Sequence, residues 1–214
     1  MPRVARLTYP GGFYHIYNRG LNKEPVFLNP RDYEKLLEKL SGVLTQGDWV
    51  IYAYCLMPNH FHLLVEEKEM AIAKLMGRVF TSYGVYFNKK YKRQGPVFAD
   101  RFKSKLIQKD SYFMQVSRYI HLNPVEAHLV DNPLKYPYSS LAEYTGDSDR
   151  KIINLSKVTA LWGENKTQIS EYLHFVMDGI GLDLSEYDPF ANTDEVVGSN
   201  IFASHRKMGR YKPV

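Results

Sequence analysis

The chain has 214 residues, a formal net charge of +5 and 44% apolar residues, which predicts a globular protein with one main domain and room for a small appendage. No apolar run approaches the roughly 20 residues that span a bilayer, the first residues lack a signal-peptide hydrophobic region, and Cys55 is the only cysteine. We therefore expect no membrane protein, disulfide-rich secreted protein or cysteine-rich zinc protein. The expected location is intracellular and cytoplasmic, and the positive charge favours a polyanionic partner.

Patterns of apolar residues predict the secondary structure in chain order. Strands show alternation or short apolar runs, whereas helices repeat apolar residues every three or four positions. The predicted elements are a strand over Phe13–Gly20, a helix over Arg31–Leu44, strands over Trp49–Met57 and His60–Glu67, a helix over Met70–Tyr91, a strand over Val97–Ile107, and a helix opened by Asp110 and interrupted by Pro124.

The order strand, helix, strand, strand, helix, strand predicts an α+β fold with a ferredoxin-like antiparallel sheet and helices on one face. The short Pro58–Asn59 link predicts a hairpin between its two flanking strands. From about residue 150 the pattern changes to a shorter helix near Thr167–Met177 and a basic tail, "SHRKMGRYKPV". We therefore divide the chain into a main domain over residues 1–149 and a C-terminal helical extension with a basic tail over residues 150–214.

Two histidines interrupt the apolar strand "MPNHFHLLVEE". Because side chains two positions apart on a strand share a face, roughly 6.6 Å apart along the chain, His60 and His62 lie side by side while Phe61 points the other way. Two such imidazoles can bind one divalent ion. The alternative is that one or both are hydrogen-bonded strand histidines with no ligand.

The segment "SRYIHLNPVEA" offers partners for such an ion. Tyr119 and Asn123 are four residues apart and therefore share a helix face. An asparagine oxygen can bind Mg²⁺ or Mn²⁺, and a phenol beside it is a candidate nucleophile. The alternatives are a half-buried aromatic residue, since the chain has 17 tyrosines, and a residue that ends a helix before Pro124.

This combination of groups suits cleavage of a phosphodiester. A bound cation offsets the negative charge that repels nucleophiles, and a tyrosine hydroxyl can attack the phosphorus to form a covalent phosphotyrosine link. The phenol, whose ordinary pKa is about 10, needs help to lose its proton.

Basic residues suggest where nucleic acid would bind. A cluster lies at the end of the second helix and further cations alternate along the next strand; such groups contact phosphates in a salt-dependent way. A solvated helix end is the alternative for the lysine run. The candidate DNA contacts from this charge pattern are Lys89, Lys90, Lys92, Arg93, Arg101, Lys103 and Lys105.

Four motifs together, "YHIYNRG", "MPNHFHLLV", "GPVFADRFKS" and "YIHLNPVEAHLV", resemble the single-tyrosine HUH transposases with an IS200-like transposase domain, particularly the REP-associated tyrosine transposases. The resemblance covers roughly residues 3–144. It implies an HUH fold that cleaves and rejoins single-stranded DNA, often near a hairpin, through a 5′-phosphotyrosine and a free 3′-hydroxyl. It implies His60 and His62 as metal ligands, Asn123 as the third ligand and Tyr119 as the nucleophile, with Mg²⁺ or Mn²⁺ as cofactor. Because "YNRG" recurs in this family, the resemblance also adds Arg19, just after the first strand, to the candidate DNA contacts.

Two other functions are open at this point. A domesticated, non-catalytic DNA-binding relative predicts loss of His60, His62 or Tyr119, and all three are present. An RNA-binding ferredoxin-like domain predicts aromatic RNP signatures on the central strands, and "FADRFKSKL" lacks their glycine-aromatic arrangement. We expect a DNA transposase or nickase that acts as a monomer or a homodimer and associates with the nucleoid.

Overall fold

The computed structural model describes residues 8–44, 49–68, 71–108, 111–162, 166–191 and 196–197. Within these residues, one sheet of five strands is combined with six α-helices. The elements are β1 (Phe13–Arg19), α1 (Pro30–Leu44), β2 (Trp49–Met57), β3 (His60–Glu67), α2 (Ile72–Tyr91), β4 (Lys103–Ile107), α3 (Ser111–Glu126), α4 (Leu141–Thr145), α5 (Leu155–Trp162), α6 (Lys166–Met177) and β5 (Val196–Val197).

The sheet has the strand order β2-β3-β1-β4-β5. Its first four strands are antiparallel neighbours, and the short β5 runs parallel to β4. The hairpin predicted at Pro58–Asn59 joins β2 to β3 as expected. This order is that of the split βαβ unit, so the predicted α+β ferredoxin-like fold is confirmed.

The two faces of the sheet pack against different helices. Phe61 points toward α2, where its ring stacks on Phe80 with centroids 4.6 Å apart. His62 points the opposite way, toward α3, and its ring centroid is 5.5 Å from that of Tyr119. An ion pair between Lys90 and Asp32 joins α2 to α1. The predicted single helical layer is therefore formed by α1 and α2, and α3 adds a second layer on the histidine face.

Two boundaries differ from the sequence prediction. The strand predicted over Val97–Ile107 is wrong in its first half, because β4 begins only at Lys103. The preceding residues form irregular backbone that is held by a hydrogen bond from Asn18 Nδ2 to the carbonyl of Asp100 (2.9 Å). The interruption predicted at Pro124 is also wrong, since α3 continues to Glu126. The predicted opening residue of this helix, Asp110, lies outside the described residues.

The extension after residue 150 packs against the main domain. From α6, the Tyr172 hydroxyl is 2.7 Å from Nδ1 of His121 on α3, and the ring of Phe175 lies under the Arg118 guanidinium at 4.3 Å. The predicted helix near Thr167–Met177 is confirmed as α6, whereas the basic tail lies outside the described residues. The division at residue 150 stays a prediction. No helix in the described ranges is long and apolar enough to cross a membrane.

Candidate active site

The four residues predicted for the metal and the nucleophile converge at one end of β3. Strand β3 places His60 and His62 on the face covered by α3, and α3 carries Tyr119 and Asn123 one turn apart. Nε2 of His60 is 3.2 Å from Oδ1 of Asn123, and the two histidine rings have centroids 5.0 Å apart. Residues about 60 positions apart in the chain thus form a single cluster.

His60 lies between two amide oxygens. Its Nδ1 is 2.7 Å from Oδ1 of Asn59 and its Nε2 is 3.2 Å from Oδ1 of Asn123. Each amide turns its oxygen toward the ring because its nitrogen donates to a backbone carbonyl. Asn59 Nδ2 donates to the carbonyl of Lys23 (3.2 Å), and Asn123 Nδ2 donates to the carbonyl of Tyr119 (3.5 Å). Burial lowers the pKa of His60, which favours the neutral ring. A neutral imidazole has one N–H, so it directs a lone pair at one of these oxygens, and a cation bound between the two would be shared by both lone pairs.

His62 is fully buried, and a second histidine orients it. Its Nδ1 is 2.9 Å from Nε2 of His15 on β1, and its own Nε2 has no hydrogen-bond partner within the described part of the chain. Burial lowers the pKa of His62 well below its usual value. Burial also lowers the pKa of His15 to about 3, with the positive charge of Lys105 as a smaller cause. When Nδ1–H donates to His15, the lone pair of His62 Nε2 is left free for a ligand.

These donors fit a hard divalent cation. Neighbouring ligands of an octahedral Mg²⁺ stand about 3 Å apart when each lies about 2.1 Å from the ion, which matches the separation of His60 Nε2 and Asn123 Oδ1. Among the described residues, no three His, Cys, Asp or Glu side chains form a metal-binding group. A site that uses His60 and His62 therefore takes a different third donor, and the amide oxygen of Asn123 is in place for it.

Tyr119 is largely enclosed, with 8% of its surface exposed. Its ring packs edge-on against His62 and His15, with centroids 5.5 and 6.1 Å apart. Its hydroxyl donates to Oδ1 of Asp188 at 3.3 Å. Burial, and secondly the charge of Asp188, raise the pKa of Tyr119 above its ordinary value. The hydroxyl therefore keeps its proton at neutral pH until a reaction removes it.

A segment of the C-terminal extension forms the outer wall of the cluster. The ring of Phe190 lies edge-on to His60 and His62, with centroids 5.6 and 5.7 Å apart, and the Arg19 guanidinium lies 5.2 Å from its centre. Between this wall and α3 there is a cavity of about 400 Å³ whose lining includes His60, Tyr119, Asn123, Asp188 and Phe190. Two larger cavities, of about 620 and 560 Å³, contain none of the four predicted residues.

Comparisons with known proteins give the family of the chain and a similar fold. A sequence profile described as "Transposase IS200 like" matches residues 9–123, more than half of the chain, and this span includes all four predicted residues. The chain belongs to the IS200-like transposase family. The fold of this transposase is similar to a solved structure of a REP-associated tyrosine transposase bound to a REP hairpin, with a TM-score of 0.58 and 19% identity over 74% of this chain and 94% of that one. No curated protein shows significant similarity.

The candidate DNA contacts of this IS200-like transposase differ in how available they are to a ligand. Lys105 is 2% exposed, so the prediction that it contacts DNA is wrong. The ammonium of Lys90 is already paired with other side chains of the protein: it lies 2.6 Å from Asp32 Oδ1 and donates to the hydroxyl of Tyr86. Arg93 pairs with Glu24 at 2.9 Å. The residues that present exposed cations are Arg19, Lys89, Lys92, Arg101 and Lys103, and their contact with DNA stays a prediction.

The structure adds three residues that the sequence patterns do not indicate. His15 contacts His62 because β1 is the neighbour of β3. Asp188 and Phe190 come from the extension, and Asp188 is 69 positions from Tyr119. The clue to His15 is its position once β1 is paired with β3. Tyr17 lies directly across from His62, and His15, two residues earlier on the same strand, shares a face with Tyr17. No spacing in the sequence signals the other two.

Proposed function

We propose that this IS200-like transposase cleaves and rejoins single-stranded DNA in a metal-dependent reaction with Tyr119 as the nucleophile. The proposal rests above all on the convergence of Tyr119 and Asn123, from α3, with His60 and His62, from β3. A half-buried core tyrosine does not need two imidazole nitrogens and an amide oxygen beside it. A tyrosine that attacks a metal-bound phosphodiester needs such metal ligands beside it.

The protein groups divide into metal ligands and a nucleophile. The metal would be held by Nε2 of His60, Nε2 of His62 and Oδ1 of Asn123, and His15 would keep the ring of His62 in the required tautomer. When bound, the cation supplies positive charge that offsets the charge of the phosphate. The enclosed position of the cluster strengthens this electrostatic effect because little water screens it.

The chemical step exchanges one phosphate ester for another. Oη of Tyr119 attacks the phosphorus, the bond between phosphorus and the 3′ oxygen breaks, the phenol loses a proton and the 3′ oxygen gains one. The product is a 5′-phosphotyrosine with a free 3′-hydroxyl. Because the ester bond is conserved, attack by a 3′-hydroxyl reverses the step and joins strands, as DNA transposition and recombination require.

The proposed substrate is single-stranded DNA next to a hairpin or repeat. The similar solved transposase is bound to a REP hairpin, and Arg19 lies at the rim of the cavity with exposed Arg101 and Lys103 on the neighbouring segment. We place the chain in the REP-associated branch on the motifs of its sequence. Whether it acts as a monomer or a homodimer stays a prediction.

The test is formation of a covalent protein–DNA adduct. Wild type, Tyr119→Phe and His60→Ala are incubated with labelled hairpin oligonucleotides from the flanks of the protein's own gene, in Mn²⁺, Mg²⁺ or EDTA, and resolved under denaturing conditions. Tyr112→Phe, on the same helix, is the matched control. We expect an adduct only with metal, only from wild type and Tyr112→Phe.

Two results would contradict the proposal. An adduct from Tyr119→Phe would assign the nucleophile to another residue. Hairpin binding by wild type without any adduct, in both metals and on all flanking sequences, would instead establish the non-catalytic DNA-binding function.

A further inference from the structure

The extension supplies the hydrogen-bond acceptor for the proposed nucleophile. Asp188 lies between α6 and β5, outside the family match that ends at residue 123, and its Oδ1 accepts from the Tyr119 hydroxyl at 3.3 Å. The side chain of Asp188 is half-buried and lines the same cavity as His60 and Asn123. A carboxylate from a separate segment thus reaches the oxygen that we assign to the reaction.

The backbone around Asp188 is held in place by packing. Its Oδ1 also accepts from the N–H of Phe190 at 2.8 Å, and Pro189 between them is buried. The ring of Phe190 is fixed by an edge-on contact with Tyr17, at 5.2 Å between centroids, and by the Arg19 guanidinium. Asp188 is therefore anchored to β1 as well as to α3, which is the kind of support that a precisely oriented group needs.

The anchored carboxylate of Asp188 can fix the direction of the Tyr119 O–H bond, which the packing of the ring leaves undetermined. The ring of Tyr119 is held by His62 and His15, but the O–H bond of a phenol still rotates about the ring carbon. Directing the O–H toward Asp188 leaves the oxygen lone pairs facing away from Asp188. His60 and Asn123 line the same cavity as Tyr119 and Asp188. The proton then faces an acceptor as the bond to phosphorus forms.

We propose that Asp188 is a positioning residue that orients the Tyr119 hydroxyl for attack, which gives the C-terminal extension a role in the active site. This inference rests on the proposed function. Reactions of this kind lose about a hundredfold in rate when a reacting group is displaced by 1 Å, so loss of the acceptor should act on the rate of cleavage rather than on the binding of DNA.

The experiment measures single-turnover adduct formation with Mn²⁺ and the hairpin oligonucleotide, at saturating protein, together with the Kd for the hairpin. Asp188→Ala removes the acceptor, and Asp188→Asn removes the charge but keeps a side-chain oxygen. Asp183→Ala is the matched control, because Asp183 is an exposed carboxylate on the same cavity wall that bonds to the backbone of Ser185 and not to Tyr119. Circular dichroism confirms that each variant is folded.

We expect Asp188→Ala to lower the rate about tenfold or more with an unchanged Kd, Asp188→Asn to stay within about threefold of wild type, and Asp183→Ala to match wild type. An unchanged rate in Asp188→Ala would overturn the inference, as would equal losses in Asp188→Asn and Asp188→Ala. A faster rate in Asp188→Ala would overturn it too, and would identify residues 184–190 as a cover that restrains Tyr119. Absence of any wild-type adduct is a separate result, since it removes the proposed function itself.

Discussion

Replacement of His15 by Phe should weaken metal binding without touching a proposed ligand. His15 is fully buried on β1, and its Nε2 is the only hydrogen-bond partner that the described structure gives to Nδ1 of His62. Phenylalanine has a similar size but offers no acceptor. The ring of His62 then loses the contact that fixes its orientation and its tautomer, while His60 and Asn123 keep their positions.

The expected magnitude follows from the burial of this pair. Both rings are fully buried, so a Nδ1–H left without an acceptor costs about 1–3 kcal/mol. The proton can avoid this cost by moving to Nε2, where it blocks the metal. Loss of a partner that orients a metal-binding histidine commonly costs about 10–100-fold in affinity, or about 1.4–2.7 kcal/mol. We therefore expect the Kd for Mn²⁺ to rise about 10–100-fold in His15→Phe.

The assay is isothermal titration calorimetry with Mn²⁺ at pH 7.5. His15→Gln is the conservative variant, because its amide oxygen can accept from Nδ1–H, and it should lose less affinity than His15→Phe. His121→Phe makes the same change at a fully buried histidine that bonds to Tyr172 and Ser140, away from the proposed site. If His15→Phe bound Mn²⁺ as tightly as His121→Phe, the proposed orienting role of His15 would be refuted.

Three further predictions concern stability and DNA binding. Burial lowers the pKa of His121 to about 3, below its unfolded value near 6.5, so protons favour the unfolded chain and stability falls as the pH drops below 6.5. At pH 4.5 the free energy of unfolding should be about 2–3 kcal/mol lower than at neutral pH because of His121. Urea unfolding should therefore depend less on pH in His121→Gln than in wild type, and an equal dependence in both proteins would contradict this. Gly20→Ala should lower the melting temperature, because the new Cβ would lie 2.0 Å from the carbonyl oxygen of Glu24. Gly42→Ala is the control and should not lower it, because the space around Gly42 is open. Equal shifts in the two variants would argue against the clash. Lys103→Ala should reduce the salt dependence of hairpin binding by about one counterion. Lys74→Ala, on α2, is the control and should leave the salt dependence unchanged. Equal salt dependence in the two variants would show that Lys103 does not contact DNA.

Local patterns predict most of the sheet and its helices. The strands β1, β2 and β3 lie where alternation and apolar runs place them. Along α2 the apolar residues that recur every three or four positions are buried, namely Ile72, Leu75, Met76, Val79, Phe80, Tyr83 and Phe87. The pattern fails at Val97–Phe102, where the backbone makes an isolated antiparallel bridge between Phe98 and Gly20 and a hydrogen bond to Asn18 but forms no continuous strand. Proline likewise fails to end α3, which continues past the buried Pro124 to Glu126.

The candidate site is predictable to the extent that it depends on local spacing and family motifs. The i, i+2 histidines and the i, i+4 pair Tyr119 and Asn123 each share a face for reasons visible in the sequence, and the structure brings the two pairs together. The burial of Lys105 could not be read from its strand, because alternation shows which residues share a face but not which face the rest of the chain covers. The contact of Asp188 with Tyr119 depends on how the extension folds back, and no local pattern encodes it.

The most direct test of the central proposal is to identify the residue and the DNA end that are joined. Wild-type protein is allowed to react with the hairpin oligonucleotide in Mn²⁺, digested with nuclease and trypsin, and analysed by tandem mass spectrometry. We predict a nucleotide 5′-phosphate attached to Tyr119, with the other DNA fragment ending in a 3′-hydroxyl. A nucleotide on any other residue, or a 3′-phosphate linkage, would contradict the proposed mechanism.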